Sequence, residues 1–132
     1  MILIAHRGNY RGSGSRENSP KHIQKAIDTG YEVEVDVWYI NGNYYLGHDA
    51  PEYKGRKTLI KHKKKLWCHA KDGPTLRQLM KDGYNAFYNL LDSYVLTTRG
   101  FIWHYNGIKS IFVLDKEGKL VGYCSDDLTC LK

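Results

Sequence analysis

Gly30-Tyr31-Glu32-Val33-Glu34-Val35-Asp36-Val37-Trp38-Tyr39-Ile40-Asn41-Gly42-Asn43-Tyr44-Tyr45-Leu46-Gly47-His48-Asp49 is the stretch that decides the fold. β-Branched residues occupy every second position, Val33, Val35 and Val37, which predicts a strand over 31–40 with those side chains on one face. Glu34, Asp36 and Trp38 then share the opposite face. Asn41-Gly42 tolerates the positive φ of a tight turn, so the chain reverses in a hairpin and carries His48 back toward the carboxylates.

Upstream, Ile2-Leu3-Ile4-Ala5 is a short apolar run suited to a buried strand, and it ends in His6-Arg7-Gly8 and a loop rich in Gly and Ser. Ser19-Pro20 reads as N-cap and first helical residue, Ile23, Ala26 and Ile27 recur at helical spacing, and Gly30 supplies a left-handed stop. Downstream, 66–71 reads as another strand, and Gly73-Pro74 opens a short helix with Leu76, Leu79 and Met80 inward and Gly83 at its end. The strand-helix-Gly-Tyr pattern thus occurs twice, which favours parallel strands with helical crossovers. Beyond Tyr84 the runs 86–90, 94–97, 101–105, 110–114 and 120–124 read as strands with almost no room for helices, and Arg99-Gly100 and Glu117-Gly118 as turns. The expected fold is α/β, strand-rich with few helices, in a single domain over residues 1–132.

The 132 residues are 42% hydrophobic and 13% aromatic, enough for a core without staples. No apolar run approaches the ~20 residues of a membrane span, and the start Met1-Ile2-Leu3-Ile4-Ala5 lacks the basic flank of a secretory signal, so a cytoplasmic protein is expected. Cys68, Cys124 and Cys130 leave an odd thiol without CxxC spacing, which points to reduced, structural cysteines. Seven of the twenty basic residues fall within 54–65, where there is no acid, and taking those seven from the formal net charge of +6 leaves −1. The basicity is therefore local to one connection, a solvated loop or helix, with weak contact to an anionic membrane as its functional alternative.

Glu34 and Asp36, two residues apart on one strand face, stand ~7 Å apart at their backbones, within reach of one cation. Oxygen ligands select Mg²⁺ or Ca²⁺. An acidic strand face by itself is ordinarily solvated; His6 at a strand exit and His48 at the end of the hairpin turn the reading toward metal-assisted chemistry with two proton carriers near neutral pH. Arg7 adds a bidentate donor for phosphate oxygens. Trp103, His104, Asp126 and Asp127 fall near the ends of late strands, where packing or solvent exposure is the expected role and lining the mouth of the site the functional alternative, and His22 and His62 are read as structural.

Taken together, Ala5-His6-Arg7-Gly8, Glu17-Asn18-Ser19-Pro20, Gly30-Tyr31 with Val33-Glu34-Val35-Asp36-Val37, and Gly47-His48-Asp49 resemble the glycerophosphodiester phosphodiesterase family, in that family's order, over roughly the first fifty residues. The resemblance implies a reduced TIM-barrel-like fold of the phospholipase C-like phosphodiesterase type, a metal on Glu34 and Asp36, proton transfer by His6 and His48, and Arg7 on the phosphate. Glu17 matches an orienting position and Lys71 a phosphate-binding lysine. His69 stands where the family's third acidic ligand is expected, which admits Mn²⁺ beside Mg²⁺ or Ca²⁺. A full barrel typically needs ~250 residues. The short chain therefore either closes a stripped-down barrel or leaves an open sheet that relies on a partner, such as a second copy in a homo-oligomer.

The function that this implies is hydrolysis of a small glycerophosphodiester to glycerol phosphate and an alcohol. Its rivals are a reduced barrel that binds phosphate or anionic lipid without turnover, and a nuclease. The nuclease is the weakest, because no module for specific nucleic-acid recognition is present.

Overall fold

A computed structural model describes residues 1–105 and 110–129; Cys130 lies outside them. The order of elements is β1 (Ile2–His6), α1 (Pro20–Asp28), β2 (Glu32–Ile40), β3 (Asn43–Leu46), β4 (Tyr53–Lys54), α2 (Arg56–His62), β5 (Leu66–Ala70), α3 (Gly73–Lys81), β6 (Ala86–Phe87), β7 (Tyr94–Leu96), β8 (Ile102–Tyr105), β9 (Ile111–Leu114) and β10 (Leu120–Ser125). A 3₁₀ turn, Lys63–Lys65, joins α2 to β5. The fold is α/β and strand-rich.

Local chemistry accounts for the boundaries. Ser19 caps α1 by accepting from the His22 N–H, with Pro20 just inside. Asp72, one residue ahead of the expected Gly73-Pro74 opening, caps α3 through the Thr75 N–H at 2.8 Å. Asn41 and Gly42 have φ of 50° and 81°, and Ile40 pairs with Asn43, so the β2–β3 hairpin has a two-residue turn with both central residues left-handed. β6 is shorter than the 86–90 run promised, because Asn89 and Asp92 exchange side-chain-to-backbone hydrogen bonds and turn the chain out of the sheet. The basic stretch is α2 plus the 3₁₀ turn, and it leads into the start of β5.

The sheet has two characters. β1, β2, β5 and β6 run parallel, with α1, α2 and α3 in their connections; β10, β9, β8 and β7 form an antiparallel meander, and β1 joins the halves by pairing in parallel with both β2 and β10. β6 and β8 lie six strand spacings apart along β6-β5-β2-β1-β10-β9-β8, roughly 29 Å if the sheet were flat. The rings of Phe87 and Trp103 nevertheless stack at 4.7 Å. The sheet must curl to allow this, and its shape is a half-barrel.

The curl creates two cores. Ile4, Trp67, Phe87, Trp103, Val113 and Cys124, each from a different strand, fill the concave side. Val33, Val35, Val37, Cys68 and Ala70 pack on the other side against Ile23, Ala26, Leu59 and Leu79 of the helices. Alternation along β2 thus sends its valines to the helical core and its even-numbered residues to the concavity. Cys68 and Cys124 are free and buried, and burial raises their thiol pKa values. No helix among the described residues is long and apolar enough to cross a membrane.

Phe87 joins the rings of His69 and Trp103, whereas Leu91 is 97% exposed. Phe87→Ala should lower unfolding free energy by about 3–5 kcal/mol and Leu91→Ala by less than about 0.5 kcal/mol, as read from urea midpoints at unchanged slope.

Candidate metal centre

Register brings the chemistry-bearing residues together. His6 at the end of β1 pairs with Glu34, and Asp36 pairs with His69, so the parallel strands β1, β2 and β5 deliver all four to the concave face toward their carboxyl ends. Ligand atoms of Glu34, Asp36 and His69 lie within 4.8 Å of one another. His69 Nδ1 is 3.1 Å from Asp36 Oδ1 and 3.6 Å from Glu34 Oε2, its Nε2–H donates to the Asn89 carbonyl oxygen at 3.3 Å, and its ring stacks on Phe87. The bond to Asn89 turns Nδ1 toward the carboxylates.

Glu34 and Asp36 are 2% and 1% exposed, and such burial is tolerable only with partners. Asn18 supplies two: its Nδ2 donates to Asp36 Oδ2 and its Oδ1 accepts from the Asp36 N–H, both at 2.9 Å. Arg7 supplies two more, through its N–H to Glu34 Oε1 at 3.1 Å and its Nε 3.3 Å from Asp36 Oδ2. It does so from a left-handed conformation, φ 56°, that a branched or long side chain seldom adopts. Lys71 Nζ lies 3.8 Å from Asp36 Oδ1. Burial alone would raise the Asp36 pKa, but His69, Asn18 and Lys71 outweigh it and hold it below its usual value. Buried Asp36 Oδ1, 3.1 Å from His69 Nδ1, still has an unfilled acceptor capacity among the described residues. An orphaned buried carboxylate oxygen beside a second carboxylate and an imidazole nitrogen fits a divalent cation.

His6 carries a second arrangement. Its Nδ1–H donates to Asp126 Oδ1 at 2.8 Å, and its Nε2 faces Glu34 Oε1 at 3.9 Å. The carboxylate fixes the tautomer and leaves Nε2 as the nitrogen open to exchange a proton. Burial lowers the His6 pKa, but Glu34 and Asp126 more than reverse this and raise it above 6.5. Asp126 in turn accepts from Asn9 Nδ2 at 2.9 Å, and the same amide nitrogen donates to Glu17 Oε2 at 2.6 Å. Glu17 also lies 3.6 Å from an Arg7 guanidinium nitrogen.

His6, Arg7, Glu17, Glu34, Asp36, His69 and Lys71 thus converge, and His48 stands apart. Its Nδ1–H donates to Asp49, its side chain is 41% exposed, and among the described residues it makes no hydrogen bond or ion pair with the cluster. Its loop is nonetheless anchored there, because the Gly47 N–H donates to the Asp36 carbonyl oxygen. A Cβ at Gly47 would run into the Ala50 carbonyl oxygen, so the turn requires glycine. Asn9 and the role of Asp126 are not legible in the sequence, whereas Asn18 lies inside the quoted Glu17-Asn18-Ser19-Pro20. The basic stretch 54–65 enters β5 at the strand end opposite His69. A cleft of about 380 Å³ opens over the site, lined by the polar His6, Arg7, Glu34 and His69 together with the apolar Phe87, Leu90, Trp103 and Ile111. No family model, curated protein or solved structure matches the chain.

Burial lowers the His69 pKa, but Asp36 and Glu34 overcome this and raise it to about 9. A raised folded-state pKa gives stability that is fully present below the unfolded value of 6.5 and is lost as pH rises through 9, on the order of 3 kcal/mol. In chelator-treated protein the urea midpoint should therefore fall between pH 6.5 and 9, and the fall should largely vanish in His69→Asn. Titration with Mg²⁺, Ca²⁺ or Mn²⁺ should show affinity rising over the same window, because proton and cation compete for Nδ1.

Proposed function

We propose that the chain is a metal-dependent phosphodiesterase on a reduced, phospholipase C-like barrel, which cleaves a small glycerophosphodiester to glycerol phosphate and an alcohol. The observation that carries this reading is the meeting of the His6–Asp126 pair with Glu34, Asp36 and His69 on one concave face. The order of Ala5-His6-Arg7-Gly8, Glu17-Asn18, Glu34-x-Asp36 and Gly47-His48-Asp49 along the chain supports it.

In this mechanism the glycerol hydroxyl next to the diester attacks phosphorus, a histidine takes the hydroxyl proton, and a histidine protonates the oxygen of the departing alcohol as its P–O bond breaks. Water then opens the resulting cyclic phosphate. His6 acts through Nε2, with Asp126 holding its tautomer, and His48 is the second carrier on the loop tied to Asp36. Arg7 and Lys71, at the edge of the acidic pair, orient the phosphate and stabilise charge on its non-bridging oxygens. A divalent cation on Glu34, Asp36 and His69, namely Mg²⁺, Ca²⁺ or Mn²⁺, supplies Lewis-acid charge at those same oxygens.

A second reading, binding of phosphate or anionic lipid without turnover, is favoured by one observation: His48 is bonded to Asp49 and stands outside the cluster. The two separate experimentally. On the enzyme reading, release of glycerol phosphate from glycerophosphocholine is abolished by chelator and restored by one of the three cations, and His6→Ala lowers kcat by about 10²–10⁴-fold. Full activity in both His6→Ala and His48→Ala would refute the assignment, and calorimetric binding of the diester with no turnover across the metals would favour the second reading.

A further inference from the structure

We propose that the pocket between the residue 10–16 loop and α1 binds a dianionic phosphate, as inorganic phosphate or a phosphate monoester, and that Asn9 couples its occupancy to His6. The pocket is about 310 Å³, and Tyr10, Arg11, Arg16, Lys21, His22 and Lys25 line it. That is the small end of ligand cavities, ~300–1,000 Å³. No carboxylate lines it, and among the described residues none of its four Arg and Lys side chains is ion-paired. Arg11 instead lies over the Tyr10 ring at 5.3 Å. Four like charges around one cavity repel one another unless an anion enters, and their attraction grows with the charge of that anion. A monoester or inorganic phosphate, which carries close to two charges at neutral pH, is therefore preferred over a diester, which carries one.

His22 is the inner wall of this pocket, and its neighbours connect it to the metal centre. Asn9 Nδ2 donates to both Glu17 and Asp126, so its Oδ1 must face the other way, where it accepts from His22 Nε2–H at 2.8 Å. Asp126 then accepts from His6. Asn9 is fully buried and belongs to both arrangements. Burial, followed by Arg16 and Lys25 acting against Glu17, holds the His22 pKa below 6.5, which keeps this donor neutral in the cationic surroundings. An anion seated between Arg16 and Lys25 packs against the His22 ring, and any shift of that ring alters its bond to the Asn9 amide and, through Asn9, the carboxylate that orients His6. Asn9 is a positioning residue in this scheme. The site does not depend on turnover at the metal centre.

The test is a nuclear magnetic resonance titration of the full chain after chelator treatment, at fixed pH and ionic strength, with inorganic phosphate, glycerol 3-phosphate and glycerophosphocholine as probes. Saturable shifts at Gly12, His22 and Lys25 are expected with the first two, at least tenfold weaker with the diester, and at least tenfold weaker again in Arg16→Ala/Lys25→Ala. The His6 ring signals should follow the same saturation curve in the unaltered chain and stop responding in Asn9→Ser while Lys25 still responds. Shifts confined to Arg7 and Lys71 would move the anion to the metal centre and overturn the site, as would an equal response to chloride. Where Asn9→Ser does not fold, a His6 ring that stays still while His22 saturates in the unaltered chain overturns the coupling.

Discussion

Two carboxylates withdrawn from water on neighbouring inward positions of β2 set the terms for the surrounding structure. Glu34 and Asp36 are buried on the same concave face as the aromatic and aliphatic inner core, and such a pair is costly unless donors and cations surround it. Each nearby segment contributes one. The loop after β1 gives the Arg7 N–H and guanidinium, its far end gives both polar atoms of Asn18, β5 gives His69, and the residue after β5 gives Lys71. Arg7 adopts its left-handed conformation at the point where its N–H meets Glu34 and its guanidinium meets Asp36. A divalent ion would complete the same compensation, with the imidazolium of His69 standing in for part of that charge at neutral pH.

The division of the sheet follows from what each half must hold. Parallel strands with helical crossovers supply a layer buried on both sides, and that layer is where the acidic pair sits. The antiparallel half carries no α-helix among the described residues and contributes Trp103, Val113 and Cys124 to the wall opposite. Curling brings that wall against Phe87 and so against His69, which is clamped between a stacked ring and the Asn89 carbonyl oxygen. The candidate metal centre thus borrows its rigidity from a hydrophobic contact between strands that are distant in the sheet.

What the sequence discloses and what it hides divide along the same line. The Asn41-Gly42 turn, the Ser19 cap and the alternation of Val33, Val35 and Val37 depend on residues a few places apart, so spacing reveals them. Strand-helix alternation reveals the parallel half, and the motif order reveals His6, Glu34 and Asp36 as a set. Asp126 is 120 residues from His6, in a stretch whose composition resembles any polar strand end, and no local rule separates it from its neighbour Asp127. Asn9 is hidden for a similar reason: one of its partners is 117 residues away. His22, read as structural, acquires a partner only when the loop folds back on α1. The 86–90 strand was overextended because the Asn89–Asp92 turn competes with the sheet, and a hydrophobic run does not register that competition.

Parallel pairing of β1 with β10 sets residues 2–5 beside 122–125, so β1 gains its second neighbour only once a strand far along the chain has been made. Contacts of that sequence separation form late and slowly. Asp126, the orienting carboxylate of His6, is translated well after Glu34, Asp36 and His69. A nascent chain can therefore bring its acidic pair together while the His6 ring still lacks the carboxylate that fixes it.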